Sequence, residues 1–139
     1  MPKRVLFLCT HNSARSQMAE ALLRHLSDGR FGVFSAGTRP TIVHPMTVAI
    51  MQEIGIDMSG QRSKDVALYV QESFDYLITV CDQAQEECPI FPGARRQLHW
   101  SIPDPAEAIG DEATRLAAFR RARDDVEARI REFIAGAEP

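Results

Sequence analysis

This 139-residue chain predicts an α/β fold built on a mostly parallel sheet. Three observations carry that expectation. Strand-like and helix-like segments alternate along the sequence, the pattern of linked βαβ units. The strand-like segments are short apolar runs, as expected of strands covered on both faces. The chain is 45% hydrophobic and lacks repeats or linker-like tracts, which fits one domain around an ordinary core.

The elements follow in order. Residues 4–9 form the first strand, with Val5-Leu6-Phe7-Leu8 as its buried run. Met18, Leu22, Leu23 and Leu26 recur at helical spacing, giving a helix over about 16–28 that Gly29 stops. Residues 31–35 form the second strand, ending at Ala36-Gly37. Pro45 starts a helix with Val48, Met51 and Ile54 on its apolar face, closed by Gly55. Ser63 serves as N-cap for a short helix over about 64–71. Tyr76-Leu77-Ile78-Thr79-Val80 is the third strand and ends at Cys81. Residues 82–87 have helix-forming composition until Pro89 stops them. Residues 97–102 form the fourth strand, just before Pro103-Asp104-Pro105. A long final helix over about 111–135 carries Leu116, Phe119, Val126, Ile130 and Phe133 on one stripe.

Bulk properties exclude several functions. A net charge of −3 and a pI near 5.8 imply no basic surface for nucleic acid. No apolar run reaches membrane-spanning length and no signal-peptide stretch opens the chain, so a cytoplasmic protein without a membrane partner is expected. In that compartment three cysteines do not make a structural disulfide framework. With no Cys-x2-Cys pair and scattered histidines, no metal site is expected either. Small size and the lack of an apolar surface stripe favour a monomer.

In an open parallel sheet, ligands bind beyond the carboxyl ends of the strands. Those ends deliver Cys9, Ser35, Cys81 and, just past the fourth, Asp104. Cys9 opens the stretch Cys9-Thr10-His11-Asn12-Ser13-Ala14-Arg15-Ser16 at a strand-to-helix junction. Backbone N–H groups, a helix N-terminus and the Arg15 guanidinium would together cradle a tetrahedral oxyanion above the Cys9 sulfur. The same field favours thiolate over thiol. Asn12 tolerates left-handed backbone angles and could turn the loop while its amide braces neighbouring groups. Ser13 and Ser16 could be simple caps, but Ser16 could also hydrogen-bond the Cys9 thiolate. Asp104, stiffened by two prolines, reads equally as a general acid and as an ordinary turn residue.

Cys81 and Cys88 lie seven residues apart. On a helix that separation is roughly 10.5 Å. A disulfide needs Cα atoms within roughly 7 Å. The pair can be two thiols on an intact helix or a disulfide on an unwound one, which makes residues 82–88 a candidate redox switch. A buried strand-end Cys and an incidental helix Cys are the plain alternatives.

Taken with Ser16-Gln17-Met18-Ala19-Glu20, Ser35-Ala36-Gly37 and Asp104-Pro105, these features resemble the low-molecular-weight protein tyrosine phosphatase superfamily. Within it, Cys81 and Cys88 resemble the thioredoxin-coupled arsenate reductases. The resemblance implies a three-layer fold, a four-stranded parallel sheet of flavodoxin-like order with helices on both faces. It implies that Cys9 attacks arsenate held by the 10–15 loop while Asp104 protonates the departing oxygen. Cys81 would then attack Cys9, Cys88 would attack Cys81, and thioredoxin would reduce the final disulfide, with no bound cofactor. Phosphate and sulfate would compete as oxyanions. A phosphotyrosine phosphatase using Cys9, Arg15 and Asp104 is the alternative, weakened by Ala106-Glu107-Ala108 where that family carries aromatics. A non-catalytic oxyanion sensor ranks behind both.

Three departures stand out. His11 and Ala14 occupy loop positions often filled by Gly and Cys in relatives. Ala14 removes a competing thiol, and His11 alters loop geometry or charge. Some relatives bind potassium through residues matching Asn12, Glu20, Ser35 and an Asp. Here Lys64 falls at that Asp position, so its ammonium is expected to replace the cation and pair with Glu20.

Overall fold

The computed structural model describes residues 2–88 and 91–136. Strands β1 (Lys3–Cys9), β2 (Phe31–Gly37), β3 (Phe74–Thr79) and β4 (Ala94–His99) form one parallel sheet in the order β2-β1-β3-β4. Helices α1 (Arg15–Ser27), α2 (Pro45–Gln52), α3 (Asp82–Glu87) and α4 (Glu112–Gly136) connect or follow them. The four-stranded, flavodoxin-like order expected from the resemblance is the one observed.

The central strand explains the sheet. Val5, Leu6, Phe7 and Leu8 are all fully buried, because β1 has a strand on each side and layers above and below. On one face α1 and α4 pack together, and Phe133 of α4 meets Phe31 at 5.5 Å and Tyr76 at 4.9 Å. On the other face Phe34 meets Tyr69 at 5.8 Å, and the Arg4 guanidinium lies 4.7 Å from the Phe34 ring. The predicted stripe of the last helix matches its buried side: Phe119, Val126 and Ile130 are enclosed, while Leu116 and Phe133 are half-buried.

Four local expectations are corrected. The helix expected over 64–71 is one 3-10 turn, Val66–Leu68, capped by Asp65 rather than Ser63. The Ser63 hydroxyl instead donates to the Asn12 carbonyl, because this segment is drawn against the loop after β1. The fourth strand runs over 94–99, three residues earlier than expected. Trp100 N–H still bonds Thr79 O, after which the chain leaves the sheet to reach Arg15. Val48 on α2 and Ile54, in the turn just past its end, face solvent, while Ile50 and Met51 are buried. Neither Ser13 nor Ser16 caps α1, which starts from Ala14 with no side-chain cap. Pro89, the expected helix stop, lies outside the described residues.

One glycine is fixed by contact. A Cβ on Gly37 would stand 2.6 Å from the Thr10 carbonyl oxygen and 3.0 Å from the Asn12 nitrogen. Gly37→Ala is therefore expected to cost about 3 kcal/mol by overpacking. Urea unfolding measures that loss, and the displaced loop should lose oxyanion affinity with it.

Candidate active site

The loop from Cys9 to Arg15 owes its shape to where its carbonyls go. Thr38, Arg39, Thr41 and His44 donate their N–H groups to the carbonyls of Cys9, Thr10, His11 and Ser13. Asn12 O accepts from the Gln17 amide and Ser63, and Ala14 O accepts from Met18 N–H inside α1. With all six carbonyls engaged outward, the peptide N–H groups are what the loop offers to its interior. The uncapped N-terminus of the 13-residue α1 adds its own free donors.

Asn12 makes this turn possible. Its φ of 51° lies in the left-handed region, where Asn is better tolerated than most residues. Its Nδ2 donates to Ser16 Oγ at 2.8 Å and Ser35 Oγ at 3.0 Å. Its Oδ1 accepts from Gln17 Nε2 and Lys64 N–H, both at 2.9 Å. The fully buried amide thus ties the loop to β2, α1 and the 62–65 segment at once.

Arg15 is positioned from the far end of the chain. Its Nη1 donates to Ile102 O at 2.9 Å, and its Nη2 lies 3.5 Å from Asp104 Oδ2. The buried Nε has no partner among the described residues, and a bound oxyanion would satisfy that donor. Asp104 in turn caps its own 3-10 turn through Ala106 N–H at 2.9 Å. Its carboxyl is one-quarter exposed at the mouth of the loop.

The three cysteines are in the thiol state and arranged in series. The neighbouring Cys81 thiol, with Ser16 and the Arg15 charge, outweighs burial and holds the Cys9 pKa down at about 5. Cys81 moves the opposite way, because the Cys9 anion and burial both resist a second negative charge. Thr10 Oγ1 lies 3.3 Å from Cys81 Sγ and works against that rise. Cys81 is also the N-cap of α3, its sulfur accepting Ala84 N–H at 3.4 Å. Cys88 sits at the opposite end of the same helix, where burial pushes its thiol up. The ultraviolet absorbance of one thiolate should accordingly appear with a midpoint near pH 5 and be absent in Cys9→Ser.

Beside the loop, Lys64 Nζ lies 3.5 Å from both Glu20 Oε1 and Ser35 Oγ and donates to Arg62 O at 2.9 Å. Ser35 Oγ donates to the same Glu20 oxygen, and Arg24 holds the other at 2.6 Å. Burial lowers the Lys64 pKa, and Glu20 opposes that effect. An ammonium already occupies the space between Glu20 and Ser35, so these residues do not fit a bound potassium ion.

The expected constellation of Cys9, Thr10, Asn12, Arg15, Ser16, Cys81 and Asp104 converges at the carboxyl edge of the sheet. Ser13 and Ala14 are structural members of the loop, and His11 is exposed with Nδ1 3.1 Å from Arg39 O. The sequence reading missed Gln17, a buried amide bonded to Asn12, Arg62 and Gln61. It also missed His99, whose ring bridges Thr79 and Asp82.

Comparison with known proteins agrees with this geometry. The model of the family described as low molecular weight phosphotyrosine protein phosphatase matches residues 4–138. An arsenate reductase of Shouchella clausii is 38% identical over 139 residues, covering 99% of this chain and all of that one. A solved arsenate reductase in its phosphate-binding state superposes with a TM-score of 0.84 at 33% identity, covering 98% of this chain and 99% of its own. A thioredoxin-dependent arsenate reductase of Corynebacterium glutamicum gives a TM-score of 0.70 at 31% identity, over 95% of this chain and 60% of that one. With the thiolate loop, the buried guanidinium and the paired Cys81 in place, the chain belongs to the low molecular weight phosphotyrosine protein phosphatase family, in the group of the bacterial arsenate reductases.

Proposed function

We infer that this chain reduces arsenate to arsenite through a relay of Cys9, Cys81 and Cys88, with thioredoxin as the external dithiol. The observation that carries this reading is the placement of Cys81 beside the Cys9 loop: it is buried at the N-terminus of α3, with its sulfur 3.3 Å from Thr10 Oγ1. A hydrolytic phosphatase needs one sulfur; a second one beside the loop supplies a reductant.

The steps follow from the placement of the groups. Arsenate enters the N–H cradle against Arg15, and the Cys9 thiolate attacks arsenic. Asp104, 3.5 Å from Arg15, protonates the departing oxygen. Once the Cys9 sulfur is bonded to arsenic its negative charge is gone, and with it the main influence raising the Cys81 pKa. Cys81 then gives up its proton to solvent, and Thr10 stabilises the thiolate that remains. That thiolate attacks the Cys9 sulfur; an S–S bond forms, the S–As bond breaks, and its electron pair leaves on arsenic as arsenite. Cys88 attacks Cys81, returning Cys9 as a thiolate in the loop that favours it. The Cys81–Cys88 disulfide takes two electrons from thioredoxin. The thioredoxin-dependent relative from Corynebacterium glutamicum supports that choice of donor.

The decisive measurement is NADPH consumption with arsenate, thioredoxin and its reductase, beside hydrolysis of an aryl phosphate. Arsenate-dependent consumption with only weak hydrolysis is expected. Efficient hydrolysis with no response to arsenate would instead establish the phosphatase reading. The Lys64–Glu20 pair adds a further expectation. Exchanging potassium for a large organic cation at equal ionic strength should leave turnover unchanged, whereas selective potassium activation would show that Lys64 does not fill that role.

A further inference from the structure

The relay leaves one proton unassigned. Cys88 must lose its proton before it can attack, yet burial pushes its pKa up. It lines a cavity of about 260 Å³ together with Leu77, Thr79, Gln97, Leu98 and His99. His99 is the titratable group of that lining besides Cys88. Thr79 and His99 are register partners on adjacent strands, so both side chains project from one face of the sheet.

The ring has a partner on each nitrogen. Nδ1 lies 2.7 Å from Thr79 Oγ1, and Nε2 lies 2.8 Å from Asp82 Oδ1 on the first turn of α3. Asp82 is held ionised by His99 and by Ser101, with a smaller contribution from Arg15. A carboxylate only accepts, so Nε2 carries hydrogen and Nδ1 keeps its lone pair, facing the Thr79 hydroxyl. Protonation at Nδ1 is also accommodated. The new N–H donates to Thr79 Oγ1, and that hydroxyl donates to Leu98 O at 3.4 Å. Both charge states of the ring are therefore fully hydrogen-bonded.

We propose that His99 is the general base of the third step, taking the Cys88 proton into the cavity they share while Asp82 stabilises the imidazolium. This rests on the three-cysteine reading above. The proton passes from Cys88 Sγ to His99 Nδ1, directly or through the Thr79 hydroxyl. The Cys88 thiolate attacks Cys81 Sγ, the Cys81–Cys88 bond forms, and the Cys9–Cys81 bond breaks with its electron pair on Cys9. His99 then returns the proton to solvent. No outside oxidant is needed.

The test follows one round of arsenate reduction in the full chain, trapping disulfides with acid and an alkylating agent and reading them by mass spectrometry across pH. In wild type the Cys81–Cys88 disulfide should form without accumulation of Cys9–Cys81. His99→Gln, which can still donate to Asp82 but has no basic nitrogen, should slow that exchange about a hundredfold at pH 7, the low end of general-base effects. The deficit should shrink as pH rises and when imidazole is added. Asp82→Asn, which keeps the ring, should give a smaller defect of the same kind. Exchange at the wild-type rate in His99→Gln overturns the proposal. So does a defect equal at every pH and untouched by imidazole, which would mean that His99 only tethers α3. If wild type itself never forms Cys81–Cys88, the relay fails and the base role with it, an outcome visible before any variant is made.

Discussion

Cys9→Ser is expected to abolish arsenate reduction and to lower aryl phosphate hydrolysis by at least about 10⁴-fold, the scale on which removing a nucleophile acts. Two properties of the sulfur are lost together. At neutral pH the thiol with a pKa of about 5 is almost wholly ionised, whereas a serine hydroxyl in the same cradle stays protonated. Oxygen also cannot form the disulfide that carries two electrons away from arsenic. The fold should survive, because serine is close to isosteric and the loop is held by hydrogen bonds from Asn12, Gln17 and residues 38–44 rather than by the sulfur. Coupled NADPH turnover and phosphate affinity by calorimetry separate these effects: turnover disappears and oxyanion binding persists. Residual turnover with arsenate would show that another thiol attacks arsenic.

Cys88→Ser should show a different loss, with steady-state turnover at background but one arsenite released per chain. The protein left behind should weigh two hydrogens less and contain Cys9–Cys81. The geometry explains why the reaction stops there. Cys81 caps the N-terminus of α3 and Cys88 follows its last residue, so the whole six-residue helix separates them. A helix that short is marginal without tertiary support. Part of that support is the Cys81 sulfur itself, which accepts Ala84 N–H while it is a thiol. Drawing that sulfur into a bond with Cys9 weakens the cap and favours unwinding when Cys88 needs to approach. Without Cys88 the unwound segment has nothing to deliver. Multiple turnovers in Cys88→Ser would show that the external dithiol reduces Cys9–Cys81 directly, and that the switch is dispensable.

Much of the site was legible because it depends on order along the chain. A buried run ending in Cys9, a second strand ending near Ser35 and a third ending before Cys81 must bring those residues to one edge when the strands are parallel. Asp104 was placed by the same rule, although the fourth strand ends at His99 rather than 102. The register slip mattered little, since the chain past His99 still runs toward Arg15. The failures share a cause. The segment around Ser63 has the local signals of a capped helix, but its polar groups are claimed by Asn12 and Gln17, which lie 51 and 45 residues away from their partners here. Val48 and Ile54 fit the expected apolar face at helical spacing, but α4 packs against a different side of α2.

The sequence by itself determined the parallel sheet, the thiolate loop and the meeting of Cys9, Cys81 and Asp104, because strand polarity and the period of the apolar pattern are local properties. It also set the limit on Cys81 and Cys88, since a helix fixes their separation. Only the tertiary structure decided which side chains satisfy one another across those elements. Lys64 between Glu20 and Ser35, Arg15 on the Ile102 carbonyl, and His99 between Thr79 and Asp82 each join residues at least 17 positions apart. Such pairs have no spacing rule, because a buried charge or ring nitrogen takes whichever partner the packed fold brings within about 3 Å.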